Sequence, residues 1–309
     1  EIGRSKRAVT GYAFDDIAIV PTRRTRDPEV VSTNWSIDAF QFEMPVIAAP
    51  SDSLMSPETV IALGKMGGLG VLDLEGLWTR YEDPTQQLAE IASAKDEDAT
   101  SVLQRIYSKP VQAELIEARL KEIRAAGVTV AGALSPQRTA EFADVVLRSG
   151  VDMFVIRGNT VSAEHVSKTQ EPLNLKEFIY KLDVPVMVGG AASYKAALHL
   201  MRTGAAGVLV GFGGGAGSTT RKILGIHAPM ATAVADVAAM GSILIPQMKK
   251  RGYSKEFSAA VTSSSASLAI IIPPSIPMIL YAASANTSVE QLFVAGVVPG
   301  LLGAAGLMT

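Results

Sequence analysis

Short apolar runs alternate with longer stretches in which Leu, Ile and Ala recur at helical spacing over residues 45–210. Pro45 to Ala49 (PVIAA) is one such run, ended by Pro50, and suits a buried strand. Ser56 and Pro57 read as an N-cap and first helical residue, and that helix extends to Met66 before Gly67 and Gly68 stop it. Leu69 to Leu72 is the next strand, and strand, helix and strand in this order make a parallel βαβ unit. The same rhythm predicts helices over 84–94, 112–126, 138–149, 174–182 and 193–203, and strands over 128–134, 151–156, 184–188 and 207–210. Six strands alternating with helices argue for a parallel sheet, either doubly wound or closed as a (β/α)8 barrel. A barrel needs two further βα units, which the chain has to supply after residue 230.

In both architectures the loops after strand C-terminal ends carry the chemistry. Candidates therefore collect at Ser51 and Asp52, at Ser135 to Gln137, at Arg157 to Thr160, at Gly189 and Gly190, and at Gly211 to Arg221. The last stretch, VLVGFGGGAGSTTR from Val208 to Arg221, joins a strand to a glycine-dense loop. Gly211, Gly213, Gly214, Gly215 and Gly217 lack the Cβ that opposes positive φ, so successive backbone N–H groups can turn toward an anion. Ser218, Thr219 and Thr220 add hydroxyls, and Arg221 adds a fixed charge. A flexible loop or tight turn uses the same glycines. Near the start, Asp15 and Asp16 in YAFDDIAIVP could be acid/base groups, but adjacent carboxylates more commonly cap turns.

Composition narrows the function. A net charge of −2 and a pI near 6.0 leave no basic surplus for nucleic acid. With no cysteine there is no disulfide, thiolate metal site or cysteine nucleophile. His165, His199 and His227 are far apart in sequence, so no metal site is expected. No charged-then-apolar leader follows Glu1, so no signal peptide is expected, although the missing start methionine suggests a clipped N-terminus. Mean hydropathy is +0.26, and the cause is local: from Phe257 to Thr309 the only charged side chain is Glu290. Such a shift marks a boundary between about residues 230 and 240, which divides the chain into 1–232 and 233–309.

The motifs YAFDDIAIVP, PVIAAPSDS, GGLGVL, VPVMVGG, TGAAGVLVG and GFGGGAGSTTRKILGIHAPMATAVAD resemble the IMP dehydrogenase and GMP reductase barrel, in that family's order, over about residues 10–235. VSTNW, VSAEHV, PLNLK and HLMRTGAAGV are most similar to its actinobacterial branch. The resemblance implies an incomplete (β/α)8 TIM barrel of about six βα units that binds a purine nucleoside monophosphate, with NAD or NADP as cofactor. It also implies a cytoplasmic barrel whose complete relatives are homo-oligomers. The nucleotide would be held by Ser51, Asp52, Gly189, Gly190, Gly211, Gly213 and Gly215, with Ser218, Thr220 and Arg221 at catalytic positions. Arg221 has the alternative of a salt-bridged helix start. The family loop reads GxGPGSxCTTR, and here Ala216 stands at the phosphate-contacting serine and Ser218 at the catalytic cysteine. Arg157 stands where the family has the acidic residue that contacts the nicotinamide. These departures imply nucleotide binding without competent IMP oxidation.

A complete member would continue from HAPMATAVAD into a seventh and an eighth strand, but this chain does not. Phe257 to Ala283 is longer than the roughly 20 residues a spanning helix needs, although Pro273, Pro274 and Pro277 interrupt it. Leu292 to Met308 is a second apolar segment, and Lys249, Lys250 and Arg251 before the first suggest a cytoplasmic flank. From about Ala231 the tail is similar to the large membrane subunit of TRAP-type dicarboxylate transporters, through ADVAAMGSILIPQM, KRGY, FSAAVT and IIPPSIPMI. That resemblance implies an apolar, helical, membrane-type tail, and a fragment of such a transporter is the alternative functional reading. Both resemblances meet in ATAVADVAA, Ala231 to Ala239, the pattern expected of a chimera or fragment.

Overall fold

The computed structural model describes residues 10–20, 27–158, 161–162, 165–168, 171–215, 218 and 220–238. The chain divides into two compact units, Glu1–Ala233 and Val234–Thr309. The described part of the second is its first five residues, which are helical; the apolar stretches expected at 257–283 and 292–308 lie outside the described residues. Among the described residues no helix is long and apolar enough to cross a membrane.

The first unit is an α/β barrel-type fold. A hairpin of β1 (Trp35–Ile37) and β2 (Phe40–Phe42) precedes β3 (Ile47–Ala48), β4 (Leu69–Asp73), β5 (Ala131–Leu134), β6 (Met153–Arg157), β7 (Val186–Ala191) and β8 (Gly207–Val210). The helices are α1 (Pro57–Lys65), α2 (Thr85–Ser93), α3 (Ala99–Tyr107), α4 (Ala113–Ala125), α5 (Pro136–Arg148), α6 (Leu175–Tyr180), α7 (Tyr194–Met201) and α8 (Thr220–Leu224). Strands β3 to β8 form one parallel sheet in sequence order, and the hairpin is a separate antiparallel pair. Among the described residues no ladder joins β3 to β8.

Capping chemistry starts helix α1 as the sequence predicts. The Ser56 hydroxyl accepts from the Thr59 N–H at 3.1 Å, with Pro57 at the first helical position. Gly67, Gly127, Gly150 and Gly204 follow helices α1, α4, α5 and α7 at positive φ, where a Cβ would be strained. At the N-terminus Asp16 is a cap: its Oδ2 accepts from the Ala13 N–H at 2.8 Å.

Alternation along the strands sorts the core into two layers. Leu69, Val71, Ala131, Ala133, Met153, Val155 and Met187 pack together inside the curled sheet with Ile37 and Phe42 of the hairpin. Trp35 stacks on Phe42 with ring centroids 4.5 Å apart, and its indole N–H donates to the Met44 carbonyl at 2.7 Å. A Cβ on Gly207, the first residue of β8, would lie 3.0 Å from Ile37 Cδ1, so the hairpin closes the N-terminal end of the strands. Leu72, Leu134, Phe154, Ile156, Val186 and Val188, also buried, occupy the other face. Helix α1 packs so closely there that a Cβ on Gly70 would lie 2.7 Å from Val60 Cα.

Candidate functional site

With the bottom plugged, the open space lies at the C-terminal ends of the strands, as a cavity of about 360 Å³. Small-ligand clefts have this size. Ile47, Val71, Val155, Met187 and Leu209 line it from five different strands, which demonstrates that the sheet curls around it. The loop after β8 and the start of α8 contribute Gly211, Phe212, Gly213, Ser218 and Thr220. Ala49 and Pro50 after β3, Arg157 and Gly158 at the end of β6, and Gly190 of β7 complete it.

The loop is held by its backbone. Gly211 and Gly213 adopt φ of 92° and 67°, in the left-handed region. The Gly211 N–H donates to the Ala191 carbonyl at 2.6 Å, and the Ala228 N–H donates to the Phe212 carbonyl at 2.8 Å, pinning both ends. A Cβ on Gly190 would run into the Gly211 carbonyl oxygen, so β7 and the loop can meet only through glycine. The Ser218 N–H donates to the Gly215 carbonyl at 2.9 Å, and the Ser218 hydroxyl donates to Thr220 Oγ1 at 3.3 Å. Among the described residues no imidazole or carboxylate that could act as its base is bonded to the Ser218 hydroxyl.

Among the described residues lining the cavity, Arg157 is the one charged side chain. One Nη1 hydrogen bond goes to the carbonyl of Pro50, and among the described residues no carboxylate forms an ion pair with it. A carboxylate that senses its charge is Asp73, at the end of β4. Burial pushes the Asp73 carboxyl up to about 6, helped by the charges of Asp52 and Glu75 and opposed by the Glu75 N–H bond, at 2.9 Å, and by Arg157.

Asp52, two residues after the lining Pro50, is not itself among the residues that line the cavity. Its Oδ2 accepts from the Tyr107 hydroxyl at 2.5 Å and from the Leu77 N–H at 2.9 Å, while its Oδ1 is buried without a hydrogen-bond partner. Burial raises the Asp52 carboxyl above the usual range, and burial together with the Asp52 bond raises the Tyr107 phenol.

The structure thus gathers Gly190, Gly211, Gly213, Ser218 and Thr220 of the sequence-derived candidates around one cavity. Gly189 lies buried under Leu209. Ser51 bonds Ser53 through their hydroxyls at 2.9 Å, and Gly215 is exposed on the loop. Arg221 is exposed on α8 and is not among the lining residues. Ala216 lies outside the described residues. Of the other strand-end candidates, Arg157 lines the cavity, whereas the Ser135 N–H donates to a Glu75 oxygen. Sequence reasoning missed Asp73 and Tyr107; an acidic residue directly after the apolar run LGVL was the available signal for Asp73.

A parallel barrel-type sheet with a glycine loop at its C-terminal end defines a class of small-ligand α/β barrels, and comparison with known proteins identifies which. The chain belongs to the IMP dehydrogenase / GMP reductase domain family, which it matches over residues 11–245. It is 49% identical over 245 residues to an uncharacterized oxidoreductase of Mycobacterium tuberculosis, and 48% identical to one of Mycolicibacterium smegmatis. In both cases the match covers 77% of this chain and 65% of the relative, so the chain spans about two thirds of their length. A crystal structure of an IMP dehydrogenase/GMP reductase-like protein from Corynebacterium glutamicum superposes with a TM-score of 0.72 and 42% identity, over 85% of this chain and 72% of that one. Residues 209–309 match a different family, the DctM component of tripartite ATP-independent periplasmic transporters. The large permease protein DctM of Vibrio cholerae is 57% identical over 74 residues, 24% of this chain and 16% of that protein. The two family matches overlap over residues 209–245, a range that contains Ala231 to Ala239.

Oxidoreductases of this family imply a nicotinamide cofactor in general terms. An oxidised nicotinamide ring carries positive charge, and the cavity meets it with the Arg157 guanidinium and, among the described lining residues, no carboxylate. The residues present do not fit that ring.

Proposed function

We propose that the cavity binds a purine nucleoside monophosphate, as an IMP dehydrogenase/GMP reductase-like site, without thiol-based oxidation of the bound base. The observation that carries this reading is the loop from Gly211 to Thr220, with two glycines at positive φ beside an apolar floor. Backbone N–H groups and the hydroxyls of Ser218 and Thr220 supply neutral donors for a phosphate. Val71, Val155, Met187 and Leu209 supply an apolar surface against which a purine ring loses water. Ser218 stands where the reaction needs a thiolate, and a serine hydroxyl without a base is a poor nucleophile. Titration calorimetry of the full chain, in mild detergent, with IMP and GMP tests the reading. Saturable binding of either that is lost without the phosphate supports it, and no heat at millimolar nucleotide refutes it.

A second reading concerns residues 231–309 and rests on their similarity to DctM proteins. In it the tail enters a membrane, and the positively charged Lys249 to Arg251 stay on the cytoplasmic side. Fractionation of cells expressing the full chain decides: recovery in the membrane pellet after carbonate washing supports insertion, and recovery as a monodisperse soluble species contradicts it.

A further inference from the structure

The cavity described above has an asymmetry that phosphate binding leaves unused. Its floor is apolar, its loop offers neutral donors, and among the described lining residues its single charge is Arg157. That guanidinium is anchored on the Pro50 carbonyl. Pro50 follows β3 and Arg157 ends β6, three places apart in the sheet order, so the side chain reaches across the mouth of the cavity rather than along its wall. Among the described residues one Nη1 hydrogen bond is used, and a guanidinium carries five N–H donors in a planar fork. Among the described residues no carboxylate pairs with it; Asp73 senses its charge from a mostly buried position at the end of β4. An exposed arginine over an apolar floor suits a second anion on the ligand, separate from the one the loop receives.

We propose that Arg157 selects nucleoside monophosphates whose base carries negative charge, either as an ionised ring or as a ring-borne carboxylate, over those with a neutral base. This rests on the nucleotide reading of the site given above. A 5′-mononucleotide bound by its phosphate at Gly211 to Thr220 extends its base over Val71, Val155 and Met187, beneath the guanidinium. A neutral carbonyl or ring nitrogen accepts an ordinary hydrogen bond there. A delocalised N–C–O anion or a carboxylate accepts a charge-assisted, two-point one, which is roughly twice as strong. The expected preference is about tenfold in Kd for the anionic member of a pair matched in ring type.

Calorimetry on the full chain at mildly alkaline pH tests this with two pairs: xanthosine against inosine monophosphate, and orotidine against uridine monophosphate. The two anionic members separate an ionised ring from a carboxylate. Xanthosine monophosphate, orotidine monophosphate or both should bind about tenfold tighter than the neutral partner. Arg157→Met should abolish the difference by weakening the anionic member of each pair about tenfold more than its neutral partner, and Arg157→Lys should keep part of the preference. If Arg157→Met does not fold, the Lys variant and the unmodified chain still decide between charge and shape. Equal affinities within both pairs, or a preference that persists in Arg157→Met, overturn the proposal and leave the nucleotide reading standing. Binding of none of the four nucleotides overturns both.

Discussion

Replacing Asp73 with Asn isolates one buried charge and gives a pH signature. The Asp73 carboxyl sits between the strand ends with its value pushed up to about 6 from 3.8, chiefly because burial removes water from the charged form. A carboxyl whose folded value is raised contributes stability that is fully present below the unfolded value and lost as pH rises through the folded one. The rise amounts to about 3 kcal/mol, since each unit is worth about 1.4 kcal/mol. The natural barrel unit should therefore lose about 3 kcal/mol from this group between about pH 4 and pH 7. Asparagine keeps an oxygen that can accept from the Glu75 N–H at 2.9 Å but does not titrate. Asp73→Asn should match the natural chain near pH 4 and exceed it by about 2–3 kcal/mol near pH 7.5. The assay is denaturant unfolding followed by tryptophan fluorescence, because Trp35 and Trp78 both lie in the barrel unit and report on it alone. A difference that does not change with pH, or a variant less stable at neutral pH, refutes the reasoning.

Other perturbations probe the remaining contacts. Gly190→Ala should place a methyl against the Gly211 carbonyl, lowering stability by about 1–3 kcal/mol and weakening nucleotide binding at least tenfold, read by unfolding midpoints and calorimetry. Tyr107→Phe removes the 2.5 Å bond to Asp52 and leaves that carboxylate with only the Leu77 N–H on Oδ2. The cost should be about 1–3 kcal/mol at neutral pH, shrinking as acidification protonates Asp52, measured by the same fluorescence titration across pH. Phe42→Ala empties part of the hairpin plug under Trp35 and should cost about 3–5 kcal/mol, with the Trp35 emission shifted to the red.

The six parallel strands were legible because each combines an apolar run with a glycine or proline stop, and burial on both faces keeps such runs continuous. The hairpin Trp35–Phe42 was missed although WSI and FQF alternate with period two, because three-residue strands carry little signal and the turn passes through Asp38 at φ 51°. Helix α3 was missed for a similar reason: ATSVLQRIY buries only Ile106 and has no side-chain cap. The glycine loop was readable as a turn that needs glycine, and Gly211 and Gly213 do adopt positive φ there; that it receives an anion is the proposal made above. Arg157 was placed in the right loop, but its reach to Pro50, 107 residues earlier in sequence, is a tertiary fact with no local signature. Asp52 illustrates the converse. It sits in a strand-end loop, yet Tyr107, 55 residues later, holds it in a structural cluster.

The claim that nucleotide occupies the cavity beside Ser218 can be tested at a single atom. The chain contains no cysteine, so Ser218→Cys introduces one thiol, among the lining residues, and alkylation by iodoacetamide reads its accessibility with no background. IMP at saturating concentration should slow that alkylation about tenfold or more, while inosine without its phosphate should leave the rate unchanged. An alkylation rate that IMP does not alter would contradict the account.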